Sequence, residues 1–313
     1  MRFDARLLAA FFAIYVIWGS TYLAIRVAVE TIPPLATAGV RHLLAGAILF
    51  LWARGFRART TATEWRASLV VAMAFFLIGH GTLHWAEQIV PSGIAALLVA
   101  TEPVWIAILM PSTGRSRWSA RTIGGLTAGL AGVAFLVPPE AFTAGSGQLR
   151  GAGAILIGAM AWALGVRYSA TAPLPRDPFV RASTTLLCGA ALLLAASAVT
   201  GELARVDLRA ASGRSLLGLA YLVVCGSVVA FSAYTWLLER CSATLVATHT
   251  YANPLIAVVL GWLFAGEPLT VRIALATGLI VSAVLLLKPE STRENAAVGE
   301  PACGQPARAT ASD

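Results

Sequence analysis

The sequence predicts an all-α integral membrane protein with ten transmembrane helices, arranged as two inverted five-helix repeats. Three observations support this prediction: the composition, a series of long apolar segments, and an internal repeat. Of the 313 residues, 58% are hydrophobic and only 12% are charged, and the mean hydropathy is +0.77. Soluble domains carry about 25% charged residues and about 45–50% apolar ones. A soluble enzyme or a soluble nucleic-acid-binding domain is therefore excluded.

The apolar segments are long enough to be membrane-spanning helices, each of which needs about 20 residues. They must be helical because lipid offers no partner for backbone N–H and C=O groups. A β-barrel would instead show segments of about ten residues that alternate apolar and polar positions. The ten predicted spans cover residues 7–27, 35–53, 67–86, 92–111, 121–138, 150–168, 178–200, 215–238, 243–265 and 271–287.

The basic residues predict the orientation of these spans. Fifteen of the 23 basic residues lie at the termini and in the even-numbered loops, and only six lie in the odd-numbered loops. Because basic loops stay in the cytoplasm, we expect a multi-pass protein of the cell (plasma or inner) membrane with both termini cytoplasmic. The net charge of +8 therefore reflects topology, and no nucleic-acid partner is expected.

The chain repeats itself with an offset of about 150 residues. Residues 85–109 align without gaps to residues 236–260, and this register matches Trp85 to Trp236 and Pro103 to Pro254. A repeat of five helices places its second copy in the opposite orientation, which is a transporter architecture with the substrate held near the membrane midplane. We predict one repeat over residues 1–139, a second over 150–288 and a disordered cytoplasmic tail over 289–313.

The proline segments of the repeat contain the most informative polar residues. Pro103 and Pro254 are predicted helix breaks, either structural kinks or cavity-lining interruptions. Glu102 lies at mid-span, where a charge costs at least about 2.5–3.5 kcal/mol on insertion scales. It therefore faces either a cavity, as a site for a substrate amine or a proton, or a partner within the bundle that keeps it protonated. Asn253 is its counterpart in the second half.

The third span carries His80, His84 and Glu87 on one helical face, because they are spaced i, i+4 and i+7. This pattern suits a metal site, a proton relay or a polar cavity wall. Too few ligands are in view for a metal to be predicted. His249 and Asn253 are also spaced i, i+4 and are expected to face inward.

Arg41 lies inside the second span, where it either snorkels to the interface or clamps a carboxylate. Aromatic residues of several spans are expected to line an amphipathic cavity. No catalytic residue, cofactor or metal ligand is predicted. The candidate substrate-binding residues are Trp18, Thr21, Tyr22, Arg41, His80, His84, Glu102, Trp162, Tyr234, His249, Tyr251 and Asn253.

Five motifs stand out along the chain: IWGSTY at 17–22, PP at 33–34 with Arg41, EPV at 102–104, NPL at 253–255 and FAGEPLT at 264–270. They resemble the drug/metabolite transporter superfamily, specifically the EamA-type ten-helix permeases. The resemblance covers residues 7–287. It implies a secondary transporter that exports amino acids, related metabolites or drug-like compounds by alternating access. The first half departs from the pattern, because it lacks a Gly-Glu loop after its fourth span.

Other functions stay open at this point. The main alternative is a multidrug efflux permease, and alternatives of a different class are a membrane-embedded enzyme, a scaffold or a channel. The sequence has no Walker-type phosphate loop, so ATP does not drive transport directly. The expected partners are a small-molecule substrate and the lipid bilayer, with protons as a candidate coupling ion. Gly125, Gly129, Ala274 and Gly278 permit close helix packing, either within a monomer or across a homodimer.

Overall fold

The structure, a computed structural model, describes residues 5–53, 60–109, 120–136, 147–207, 209–238, 241, 246 and 249–287. The regular elements of these residues are all helical, which confirms the predicted all-α class. The predicted tail at 289–313 lies outside the described residues.

Ten helical segments follow the predicted spans closely. Six of them are long and apolar enough to cross a membrane, and α4, α5, α9 and α10 contain shorter apolar helices. The segments are α1 (Ala5–Ala28), α2 (Pro34–Trp52), α3 (Ala62–Ala86), α4 (Ser92–Val99 and Glu102–Leu109), α5 (Ala120–Leu136), α6 (Gln148–Ser169), α7 (Pro178–Val199), α8 (Gly213–Tyr221 through Ala230–Leu238), α9 (His249–Ala265) and α10 (Val271–Leu287).

Local sequence signals set the helix boundaries. Helix α3 begins five residues before the predicted position because Thr61 and Glu64 form a capping box, which satisfies backbone donors of the first turn. Asp177 caps α7 by accepting hydrogen bonds from the Phe179 and Val180 amides. Polar residues that the hydropathy pattern assigns to loops therefore belong to the first turns of helices.

Three helices contain wide π-helical segments. The segment in α3 is Met73–His80 and the one in α8 is Leu222–Val229. Both are eight residues long and start 149 positions apart, which matches the repeat offset. A third π segment, Ala13–Ile17, lies in α1. π turns often occur at functional sites. The interior between α1, α3 and α8 is therefore a candidate functional site.

Helices α5 and α10 pack against each other within the chain. A Cβ atom on Gly132 would lie 2.6 Å from Ile280 Cγ1, and one on Gly129 would lie 3.4 Å from Ala283 Cβ. The glycines of α5 therefore allow the close approach that their spacing predicts. The predicted small-residue face of α10 does not make this contact, because Ala274 and Gly278 are exposed.

Candidate substrate site

A buried arginine is the centre of a polar cluster between α1, α2 and α8. Arg41 is only 5% exposed, and its Nε donates to Ser227 Oγ at 3.0 Å. Gly226 allows this approach, since a Cβ there would lie 2.9 Å from Thr21 Cγ2 and 3.5 Å from Arg41 Nη2. The Gly226 carbonyl in turn accepts a hydrogen bond from Trp18 Nε1 at 3.0 Å. The π segment of α8 thus places a backbone acceptor and a hydroxyl against α1 and α2.

An aromatic corner joins α1, α8 and α9 next to this cluster. The Trp18 ring lies 5.2 Å from the Tyr234 ring and 4.9 Å from the His249 ring, between centroids. With its amide nitrogen turned to donate, Asn253 lies 3.0 Å from the His249 carbonyl and 3.1 Å from the Tyr15 carbonyl. The corner therefore combines apolar ring faces with polar edges, as small-molecule sites do.

Glu102 starts the second piece of α4, directly after an interruption of the helix at Ala100 and Thr101. Thr101 closes the first piece by donating from Oγ1 to the Leu98 carbonyl at 2.6 Å. A carboxylate at a helix N-terminus is stabilised by the helix dipole. The Glu102 side chain is half-buried at this interruption of α4.

A row of titratable residues runs along α3 and across to α2. His42 Nε2 and His80 Nδ1 are 2.9 Å apart, and His84 Nδ1 lies 2.7 Å from the His80 carbonyl. The His80 ring stacks on Trp162 of α6 at 5.4 Å with an interplanar angle of 29°. His42, His84 and Glu87 are almost fully buried. The row thus connects the end of α3 to its π segment and to the interior of α2.

Several atoms of this row lack a hydrogen-bond partner within the described part of the chain. They are His42 Nδ1, His84 Nε2 and both carboxylate oxygens of Glu87. Leaving a buried polar atom unpaired costs about 1–3 kcal/mol, so such atoms mark positions where a proton, a water molecule or a ligand group fits.

One end of the bundle carries the connections at residues 29–33, 87–91, 200–212 and 266–270; we call it the odd-loop end. Two carboxylates of the second half are buried there against helix N-termini of the first half. Glu267 accepts hydrogen bonds from Ser92 N, Ser92 Oγ and Gly93 N at 2.6, 2.8 and 3.0 Å. Glu202 accepts one from Leu35 N at 2.8 Å. These contacts cap α4 and α2, respectively.

Both carboxylates follow a glycine with the same backbone conformation. Gly201 and Gly266 have φ values of 73° and 65°, a left-handed conformation that glycine adopts without steric cost. Gly266 directly follows α9, and Gly201 follows α7 after the single residue Thr200. Each glycine directs the next residue across the bundle. We refer to the pairs Gly201–Glu202 and Gly266–Glu267 as the two Gly-Glu clasps.

Comparison with known proteins identifies the family. The EamA-like transporter family matches residues 6–137 and 149–288. This protein is a member of the EamA-like transporter family. The uncharacterized inner membrane transporter YedA of Escherichia coli K12 is 38% identical over 284 residues, with 90% of both chains covered. The uncharacterized transporter YoaV of Bacillus subtilis is 24% identical, with 88% of this chain and 94% of that protein covered.

A solved structure shows the same fold. Its chain is 20% identical to this one, and the superposition has a TM-score of 0.61. The match covers 92% of this chain and 99% of that chain. EamA-like proteins are transporters, so the family places this chain among membrane transporters and confirms the resemblance found in the sequence.

Within this EamA-like fold, most of the predicted residues form two groups. The cluster and the aromatic corner contain Trp18, Thr21, Arg41, Tyr234, His249 and Asn253, and the row along α3 contains His80, His84 and Trp162. Tyr22 and Glu102 are half-buried residues of α1 and α4. Trp18 and Trp162, which occupy equivalent positions of the two halves, contact the third helix of the opposite half. The side chains of Tyr251 and Pro103 lie outside the described residues.

The predicted helix break at Pro254 is wrong. Pro254 does not break a helix, because α9 runs without interruption from His249 to Ala265. The helix continues through Pro254, whose missing N–H leaves the carbonyl one turn earlier without its intrahelical donor. Among the described residues, no group of three or more His, Cys, Asp or Glu side chains is arranged to hold a metal.

The sequence reasoning missed several important residues. His42 directly follows Arg41 within a span, so its position alone marks it as a buried ionisable residue. The sequence indicates Glu267 only as part of the FAGEPLT motif and gives no signal for Glu202, which also follows glycine in a loop. Ser227 and Gly226 carry no signal of their own in an apolar helix; only their contacts with α1 and α2 identify them.

Proposed function

We propose that this protein is a secondary transporter that exports amino acids or related small metabolites by alternating access, with protons as the coupling ion. The observation that carries the proposal is the buried Arg41 guanidinium, which donates to Ser227 beside the aromatic corner around Trp18. We assign the opposite charge of the site to Glu102, which is half-buried where α4 is interrupted. An amino acid presents a carboxylate and an ammonium group a few ångströms apart, together with a variable side chain.

Each part of the site suits one part of such a substrate. The planar guanidinium of Arg41 binds a carboxylate by two parallel hydrogen bonds. Glu102 binds the ammonium group, and the Trp18 and Tyr234 rings accommodate the side chain and the cation. Because Glu102 binds either an ammonium group or a proton but not both, protons and substrate compete there. Such competition is what proton-driven export requires.

The repeat architecture supports alternating access. The π segments of α3 and α8 start 149 positions apart, and Trp18 and Trp162 each contact the third helix of the opposite half. Both features are expected for two inverted five-helix units at residues 1–139 and 150–288. We place both termini in the cytoplasm and the odd-loop end outside, in agreement with the distribution of arginine.

Flux measurements in proteoliposomes test the proposal. The panel contains amino acids, their carboxamides, their N-acetyl derivatives and a quaternary ammonium drug, each with and without a pH gradient. Recognition through both charges predicts that amino acids are carried and that both derivatives are transported at least about tenfold more slowly, since each loses one charge-assisted contact. Preferred transport of the drug would instead support a multidrug efflux permease.

Matched variants test the roles of Arg41 and Glu102 in substrate binding. Arg41→Gln and Glu102→Gln should each abolish amino-acid export, whereas Arg181→Gln should leave it unchanged. Arg181 occupies the equivalent position of the second half, but it is exposed and donates to the Pro175 carbonyl at 2.9 Å. Equal transport of amino acids and their carboxamides would refute the role of Arg41, and pH-dependent export by Glu102→Gln would refute the role of Glu102.

A further inference from the structure

The two Gly-Glu clasps connect the halves of the bundle at the odd-loop end. Each carboxylate belongs to the second half, and each helix N-terminus that it caps belongs to the first half, 167 to 175 residues away. Helix α2 begins with Pro33 and Pro34, and α4 begins after Pro91. The chain next to these N-termini supplies no side-chain cap of its own, so the clasps supply the acceptors that the free N–H groups need.

An arginine extends the clasp at Glu267. Arg26 of α1 lies 3.7 Å from the Glu267 carboxylate through its Nε, and its Nη1 donates to the carbonyls of Glu87 and Val90 at 2.9 and 3.0 Å. Arg26 therefore ties the connection between α3 and α4 to the connection between α9 and α10. The contact is also tightly packed, because a Cβ atom on Gly261 would meet the Glu267 carboxylate.

Both clasps depend on contacts that separation of the halves must break. Glu267 is 9% exposed and Glu202 is 8% exposed, so water does not replace their partners while the clasps are closed. When α4 moves away from α9, the amides of Ser92 and Gly93 lose a charged acceptor. A transporter must nevertheless open one end while the other is shut. Breakable polar contacts between the halves are suited to this task because hydration recovers most of their energy.

We propose that Glu202 and Glu267 are positioning residues of the transport cycle, which hold the odd-loop end closed and are released when that end opens. They act through α2 and α4, whose N-terminal turns they fix, and they do not contact the proposed substrate. This inference rests on the alternating access proposed above, but it does not depend on which substrate is carried. Weakening either clasp should shift the population toward the state that is open at the odd-loop end and closed at the opposite end.

Hydrogen–deuterium exchange of the full-length protein in nanodiscs tests this inference without a substrate. Glu267→Gln keeps the size of the side chain but turns an NH₂ group toward backbone donors and removes the charge. Glu202→Leu removes the acceptor of the Leu35 amide at α2. We expect exchange to become about five- to tenfold faster at residues 92–95 in the first variant and at 35–37 in the second. Ser92→Ala, which removes only the hydroxyl contact, should give a smaller change in the same direction.

The decisive readout lies at the other end of the bundle. A shift in population predicts that exchange at residues 170–177 slows by about twofold or more in the clasp variants, whereas a purely local cap would leave that connection unchanged. Glu30→Gln is the matched control, because Glu30 is an exposed acidic residue at the same end and should change neither region.

Unchanged exchange at 170–177, or unchanged exchange at the capped amides, would overturn the inference. Reciprocal changes at the two ends, found together with no amino-acid flux, would support the clasps and refute the proposed substrate. The two proposals can therefore fail separately.

Discussion

The contact of Gly226 with Thr21 leads to a prediction that a double-mutant cycle can measure. Replacing Gly226 by alanine adds a Cβ that would lie 2.9 Å from Thr21 Cγ2, so α1 or α8 must move by about 0.5 Å to reach an ordinary contact distance. Overpacking of this kind costs about 1–3 kcal/mol. Because the Gly226 carbonyl accepts from Trp18 and Ser227 accepts from Arg41, the same movement disturbs the site.

Thr21→Ser removes the methyl group in question and keeps the hydroxyl, which donates to the Trp18 carbonyl at 2.6 Å. We expect Gly226→Ala alone to lower the free energy of unfolding by about 1–3 kcal/mol, and Thr21→Ser alone to change it by about 1 kcal/mol or less. The double variant should recover most of the loss, which gives a coupling energy of about 1–2 kcal/mol.

Reversible unfolding in mixed micelles of detergent and sodium dodecyl sulfate measures these free energies. Flux in proteoliposomes measures the transport activity of each variant. A control cycle pairs Thr21→Ser with Gly46→Ala, because Gly46 packs against Leu186 and Leu187 of α7 and should show no coupling to Thr21. Additive effects of Gly226→Ala and Thr21→Ser would show that α1 and α8 do not approach each other in this way.

Three further predictions concern neighbouring residues. Ser227→Ala removes the Nε acceptor of Arg41 and should weaken amino-acid binding about fivefold, for a loss of about 1 kcal/mol, as measured from the concentration dependence of flux. Pro254→Ala should change stability by less than about 1 kcal/mol in the same unfolding assay, because α9 is already continuous there. His42→Gln should shift the histidine ¹⁵N resonances of His80, since their ring nitrogens are 2.9 Å apart.

These predictions have internal controls. The chain contains four histidines, and His249, which contacts Trp18 in a different part of the site, should keep its resonances in His42→Gln. Identical His80 spectra with and without His42 would contradict the pairing of α2 with α3. A loss of several kcal/mol in Pro254→Ala would mean that the proline itself shapes α9.

The sequence by itself determined the membrane class, the ten spans and most of the candidate residues. Membrane insertion is judged locally, by the transfer of about 20 residues at a time from water to lipid, so apolar segments can be recognised without knowledge of the fold. Arg41 and Glu102 were identified for the same reason, because a charge inside such a segment is costly and requires a partner or a cavity.

The tertiary structure decided which residues meet. His42 and His80 are 38 positions apart, and Glu267 is 175 positions from Ser92; only the rotation and packing of the helices bring them together. Apolar helices contain little information about their rotation, because lipid and protein interior are equally apolar and the hydrophobic pattern does not separate them. Close packing at glycines and a few polar contacts set the arrangement instead, and these depend on both partners at once.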